Sequence, residues 1–217
     1  MGFMTIPLDR IGAMTRTLES TERDGVPARV LVAARSYPAP PQDVWAALTE
    51  ADRIARWFLP VSGELRLGGR YQLEGNAGGT VETCDPPHAF SVTWEYDGDV
   101  SWVAVTLTPE GDGTALELRH TAPVTPQRWA EFGPGAVGVG WELGLLGLAW
   151  HLESGAPLDP SETAAWAASE EGVAFMTGSS DAWCEAAVAA GEEPGAARAA
   201  ADRTIAAYTG RPLPEDA

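Results

Sequence analysis

The sequence predicts an α+β fold: an antiparallel meander, one long apolar helix to cover it, and a helical extension. Three observations carry this. Between residues 61 and 121, short alternating runs are broken again and again by turn residues. From Gly135 to Ser154 runs GAVGVGWELGLLGLAWHLES, whose first charge is Glu142. Residues 156–217 then turn Ala-rich, with eleven acids against three Arg.

Composition bounds the rest. A 217-residue chain that is 45% hydrophobic and carries nine Trp has material for a real core. The expected division is a domain over 1–155 and an Ala-rich, acidic helical extension over 156–217 packed on it. The net charge is −17, and all fourteen cations are Arg. Such a chain repels phosphate backbones and anionic bilayers, so neither nucleic acid nor membrane is expected as a partner. Two cysteines make no disulfide framework, and a reduced cytoplasm is the expected compartment. The N-terminal residues lack the basic and apolar blocks of a secretory signal.

Taken in order, 14–23 and 28–37 flank Asp24-Gly25, a two-residue turn signal, and predict a hairpin. Pro38-Ala39-Pro40-Pro41 ends it. Val44, Trp45 and Leu48 then recur at helical spacing, with Pro41 suited to a first turn and Asp43 to the positive helix end. A second short helix is expected over Asp52–Phe58, closed by Pro60. Strands follow at Gly63–Leu67, Arg70–Gly75, Thr80–Asp85, Phe90–Tyr96, Ser101–Pro109 and Thr114–Thr121. Their connections are too short for parallel crossovers, so the sheet is an antiparallel meander.

Parity sets Val92, Trp94 and Tyr96 on one face, and Leu116, Leu118 and His120 on one face of the last strand. The strand from Ser101 is ambiguous, since Trp102, Ala104 and Thr106 oppose Val103, Val105 and Leu107. In the long helix, Val137, Trp141, Leu145, Leu148 and Leu152 form one stripe; Val139, Leu143, Leu146 and Trp150 form a second. Gly140, Gly144, Gly147 and His151 lie between them. Two apolar faces mean burial from both sides, and the glycines admit a neighbouring backbone. Beyond it, helices are expected near 160–176, 180–190 and 194–209. Asp159-Pro160-Ser161-Glu162 marks the first start, and Ser179 or Ser180 the second cap.

Four ordered blocks carry a resemblance: PAPPQDVWAALTEADRIARWF (38–58), GGRYQLEG (68–75), LELRHT (116–121) and GVGWELGLLGLAWHL (138–152). They resemble proteins similar to the C-terminal domain of the heat-shock-protein ATPase activator, within the START-like, or SRPBCC, superfamily. The resemblance covers about 14–154. It implies a helix-grip fold, in which a curved sheet wraps a long helix, and a cavity between them suited to a small hydrophobic or amphipathic ligand. The superfamily includes lipid carriers, polyketide cyclases, hormone receptors and co-chaperone domains, so the fold does not fix the function. The alternatives are a cyclase- or hydrolase-like enzyme in the same cavity, and an interaction domain with a chaperone partner. A monomer or homodimer is expected.

The cavity candidates are Trp57, Tyr71, Trp94, Tyr96, Trp102, His120, Trp141, Glu142 and Leu145. A mostly apolar wall with few polar groups is the pattern of a ligand site. His120 would orient a ligand or serve as a base; Glu142, between the stripes, would be a perturbed acid or one arm of an ion pair. Nothing implies a cofactor. Gly75-Asn76-Ala77-Gly78-Gly79 lacks the Gly-Lys-Ser/Thr of a phosphate loop and reads as a hairpin turn. His88, His120 and His151 show no metal-ligand spacing, and no Gly-x-Ser-x-Gly elbow occurs.

Overall fold

The meander and its turns fold into an eight-stranded antiparallel sheet in the computed structural model, which describes residues 14–212. The strands are β1 (Thr15–Arg23), β2 (Val26–Tyr37), β3 (Val61–Gly63), β4 (Arg70–Leu73), β5 (Gly78–Asp85), β6 (Ala89–Tyr96), β7 (Asp99–Glu110) and β8 (Gly113–Pro123). Their order across the sheet is β1-β2-β8-β7-β6-β5-β4-β3. The helices are α1 (Pro41–Thr49), α2 (Ala51–Trp57), α3 (Pro126–Phe132), α4 (Gly135–Ser154), α5 (Pro160–Ala168), α6 (Glu170–Ala189) and α7 (Pro194–Thr209). The question of a leader or lipid signal falls largely on residues outside the described ones.

The chain divides into two compact units. One holds β1, β2 as far as Ala33, Val124–Leu143 and the helices after Asp159. The other holds Ala34–Pro123 and Gly144–Leu158. The division falls within β2 and within α4.

Register settles the ambiguous strand. Val103 pairs with His120, Val105 with Leu118 and Leu107 with Leu116. Since directly paired residues share a face, Val103, Val105 and Leu107 are the inward set, at 3–4% exposure. On β6 the same face carries Phe90, Val92 and Trp94, opposite Val105, Val103 and Ser101. We call this the inner face.

Several elements depart from the sequence expectation. The strand expected at 63–67 ends at Gly63, whose φ of +102° leaves the β region. A turn then forms, with Gly69 N–H donating to Arg66 O at 2.8 Å and Leu67 60% exposed. The helix expected over 160–176 breaks at Ser169, whose Oγ accepts from Gly172 N–H and caps α6. The short polar side chain does there what was expected of Ser179 or Ser180. Those two are instead fully buried within α6. The helix α3 was not foreseen; it carries little apolar periodicity, and none of its residues is buried.

Of the glycine seam of α4, only Gly147 admits a neighbouring backbone as expected; Gly144 and Gly140 meet side chains. A Cβ on Gly147 would lie 2.6 Å from the carbonyl oxygen of Trp57, and one on Gly144 3.5 Å from the Phe58 ring. The end of α2 therefore seats on the second half of α4 only because that seam lacks side chains. Further forward, Gly138 meets the indole edge of the fully buried Trp183 of α6, and Gly140 lies against Tyr208 of α7. Tyr208 Oη donates to Ala136 O at 2.7 Å, so α7 is pinned to the start of α4.

Candidate functional site

The inner face between β6 and β8 is aliphatic over most of its area and polar at one point. Val92, Val103, Val105, Leu107, Leu116 and Leu118 are buried. At the far end of β8, His120 Nε2 lies 2.8 Å from Ser101 Oγ. Ser101 Oγ also lies 3.2 Å from the Trp94 carbonyl oxygen, so its hydroxyl bridges the imidazole and the β6 backbone. The Trp94 ring stands beside it, 6.5 Å between centroids. His120 is 8% exposed, and burial pushes its pKa down to about 4. At neutral pH this is an uncharged imidazole. Its place in a strand that alternates Leu116, Leu118, His120 follows from a period of two.

The remaining candidates separate. Trp94 and His120 come together. Tyr71 is buried on β4, paired with Gly79, and its Oη donates to Thr93 O at 2.8 Å. That bond commits the hydroxyl, and burial raises its pKa. Tyr96 shares the parity of Trp94 but is 55% exposed at the end of β6. Trp102 pairs with Thr93 and Thr121 and so projects from the outer face, away from His120. Trp57 is buried, and its indole donates to Ala47 O at 2.9 Å, which locks α2 onto α1. Leu145 is buried, and its carbonyl accepts from Tyr37 Oη at 3.0 Å.

Trp141 is half-buried on α4. Glu142, 1% exposed, is held by Arg16 of β1 through two bonds, Nε to Oε1 at 2.6 Å and Nη2 to Oε2 at 2.7 Å. A bidentate guanidinium occupies both carboxylate oxygens, so Glu142 is one arm of an ion pair.

Three features escaped sequence reasoning. Ser101 lay on the strand whose faces could not be assigned. On β2, Arg35 lies over the Tyr37 ring at 5.1 Å, where sequence parity had only alternation to offer. The third is a chain of polar contacts at the end of α4. Arg53 of α2 bonds Asp43 of α1 and donates to His151 Nε2 at 3.3 Å, while His151 Nδ1 reaches Ala156 O at 3.3 Å. Burial and the neighbouring Arg53 and Arg56 lower the His151 pKa. Only distance in sequence hid it. Among the described residues no group of His, Cys, Asp and Glu is arranged to hold a metal. No single helix there is long and apolar enough to cross a membrane.

A long helix and a single antiparallel sheet with one aliphatic face define an α+β protein of the helix-grip, START-like class. Within that class the chain belongs to the family of Activator of Hsp90 ATPase homolog 1-like proteins, whose model matches residues 38–153. CalU16 from Micromonospora echinospora is 34% identical in its crystal structure, at TM-score 0.64, over 83% of this chain and 99% of that one. That share of 217 residues is about 180, so the likeness must reach past the family match into the helical extension. DynU16, a protein of the dynemicin biosynthetic locus, is 26% identical at TM-score 0.52, over 59% of this chain and 48% of its own. An HSP90 activator from Plasmodium falciparum shares the fold at 23% identity and TM-score 0.50, over 59% of this chain and 97% of that one. No curated protein sequence matches.

Proposed function

We propose that this protein binds a small hydrophobic or amphipathic molecule against the inner face, between the sheet and the second half of α4. The observation that carries the reading is a difference in burial on one face. Val103, Val105, Leu116 and Leu118 are at most 4% exposed, whereas Phe90 and Trp94 on the same face remain only half-buried. Trp45 of α1 is also half-buried and meets Phe90 edge to face at 5.9 Å. Large aromatic surface kept from full packing is what a ligand would cover, at about 25 cal/mol per Å² of apolar area. The neutral His120–Ser101 pair then supplies orientation rather than charge. That DynU16 is a protein of a biosynthetic locus favours a biosynthetic small molecule as the class of ligand.

Titration of the full chain with a fluorescent apolar probe such as anilinonaphthalene sulfonate tests this, with Trp94→Phe and His120→Gln as variants. Saturable binding weakened by either variant supports the reading, and the absence of saturable binding overturns it. The family description favours a second reading, a chaperone as partner. Stimulation of a purified Hsp90 ATPase by the chain would establish it, and no change in turnover would dismiss it.

A further inference from the structure

We infer that Arg35 is the anchor for a carboxylate on that ligand, which makes the ligand an amphipathic acid; the inference rests on the binding role proposed above. Arg35 and Tyr37 are two residues apart on β2 and project from one face. That face is turned toward α4, because Tyr37 Oη donates to Leu145 O. Tyr37 is 2% exposed, and the Arg35 guanidinium lies over its ring at 5.1 Å. The guanidinium is thus held on a buried aromatic plate in the layer between sheet and helix.

Its hydrogen bonding is incomplete. Arg35 Nε is shut off from solvent and has no hydrogen-bond partner, and the residue as a whole is half-buried. Other partly buried arginines have carboxylate partners: Arg16 with Glu142, Arg29 with Glu192, Arg53 with Asp43, and Arg198 with Asp181 and Asp202. Glu110 is taken by Ser36, one residue along β2 and so on the opposite face. In a chain with 31 acidic residues, no carboxylate among the described residues pairs with this guanidinium, which stacks on a ring instead. A buried donor left unbonded costs about 1–3 kcal/mol. A planar carboxylate meets the paired Nη edge of a guanidinium with two parallel bonds. Stacking on Tyr37 fixes the plane of that fork beforehand, and the apolar body of the acid would run along the aliphatic inner face.

Matched acid and alcohol probes isolate the head group. Calorimetric titration of the full chain at pH 7.5 would compare dodecanoate with dodecanol and 2-naphthoate with 2-naphthol. We expect the acid of at least one pair to bind about tenfold or more tightly than its alcohol, as a charge-assisted pair should give. In Arg35→Gln that preference should vanish with alcohol affinity unchanged; Arg35→Lys should keep part of it. Equal affinity for acid and alcohol in the unaltered chain overturns the assignment without recourse to any variant, as does a preference that survives in Arg35→Gln. If an alcohol binds and its acid gains nothing, Arg35 is wrong and the cavity stands. If no member of either pair binds, the cavity reading falls with it.

Discussion

The neutral state of His120 makes a quantitative prediction about stability in acid. Burial lowers its folded pKa to about 4, against about 6.5 in an unfolded chain. The unfolded state therefore binds the proton more readily over that window. The contribution is fully present above pH 6.5 and is lost as pH falls toward 4. At about 1.4 kcal/mol per pKa unit, the whole loss is about 3.5 kcal/mol, and about 2.5 kcal/mol of it is gone by pH 4.5. His120→Gln keeps a polar partner for Ser101 but cannot titrate. Urea unfolding followed by Trp fluorescence at pH 7.5, 6, 5 and 4.5 gives the difference between the two proteins. That difference cancels the carboxylates that also titrate, among them Glu95 and Glu193, whose pKa values are lowered. The stability of the unaltered chain relative to His120→Gln should fall by about 2–3 kcal/mol across the series. A difference that stays constant with pH would mean that His120 is hydrated or charged, and would refute the neutral inner face.

Other perturbations follow from the same geometry. Arg16→Ala leaves Glu142 buried without a partner and should cost about 3–5 kcal/mol in chemical denaturation, whereas Arg16→Met with Glu142→Leu should recover most of it. A double variant as unstable as the single one would contradict that. Gly147→Ala brings a methyl within 2.6 Å of Trp57 O and should destabilise by about 1–3 kcal/mol; unchanged stability would mean that α2 does not seat on the seam. Tyr37→Phe removes the bond to Leu145 O and should cost about 1 kcal/mol, visible as a lowered thermal midpoint.

How far the sequence could be read depended on the range of each signal. The meander was legible because turn chemistry is local: Asp24-Gly25 and Asp97-Gly98 fall at hairpin turns, with both Asp and both Gly at positive φ. The long helix was legible to the residue, from its apolar run and the glycines on one seam. The break at Ser169 was missed because Ala-rich sequence continues on both sides of it, and only the cap geometry decides. At the site, alternation along β8 pointed to His120, but alternation alone could not tell Val103 from Trp102. That needed the pairing of β7 with β8, a tertiary fact. Arg16 with Glu142 and Arg53 with His151 are separated by 126 and 98 residues, so no local pattern could announce either.

Native mass spectrometry of gently purified protein tests the central claim most directly. The account predicts a bound small molecule of a few hundred daltons, released on denaturation, or its capture when an amphipathic acid is added. A chain that flies only at its bare mass, and stays there with every added acid and alcohol, would contradict it.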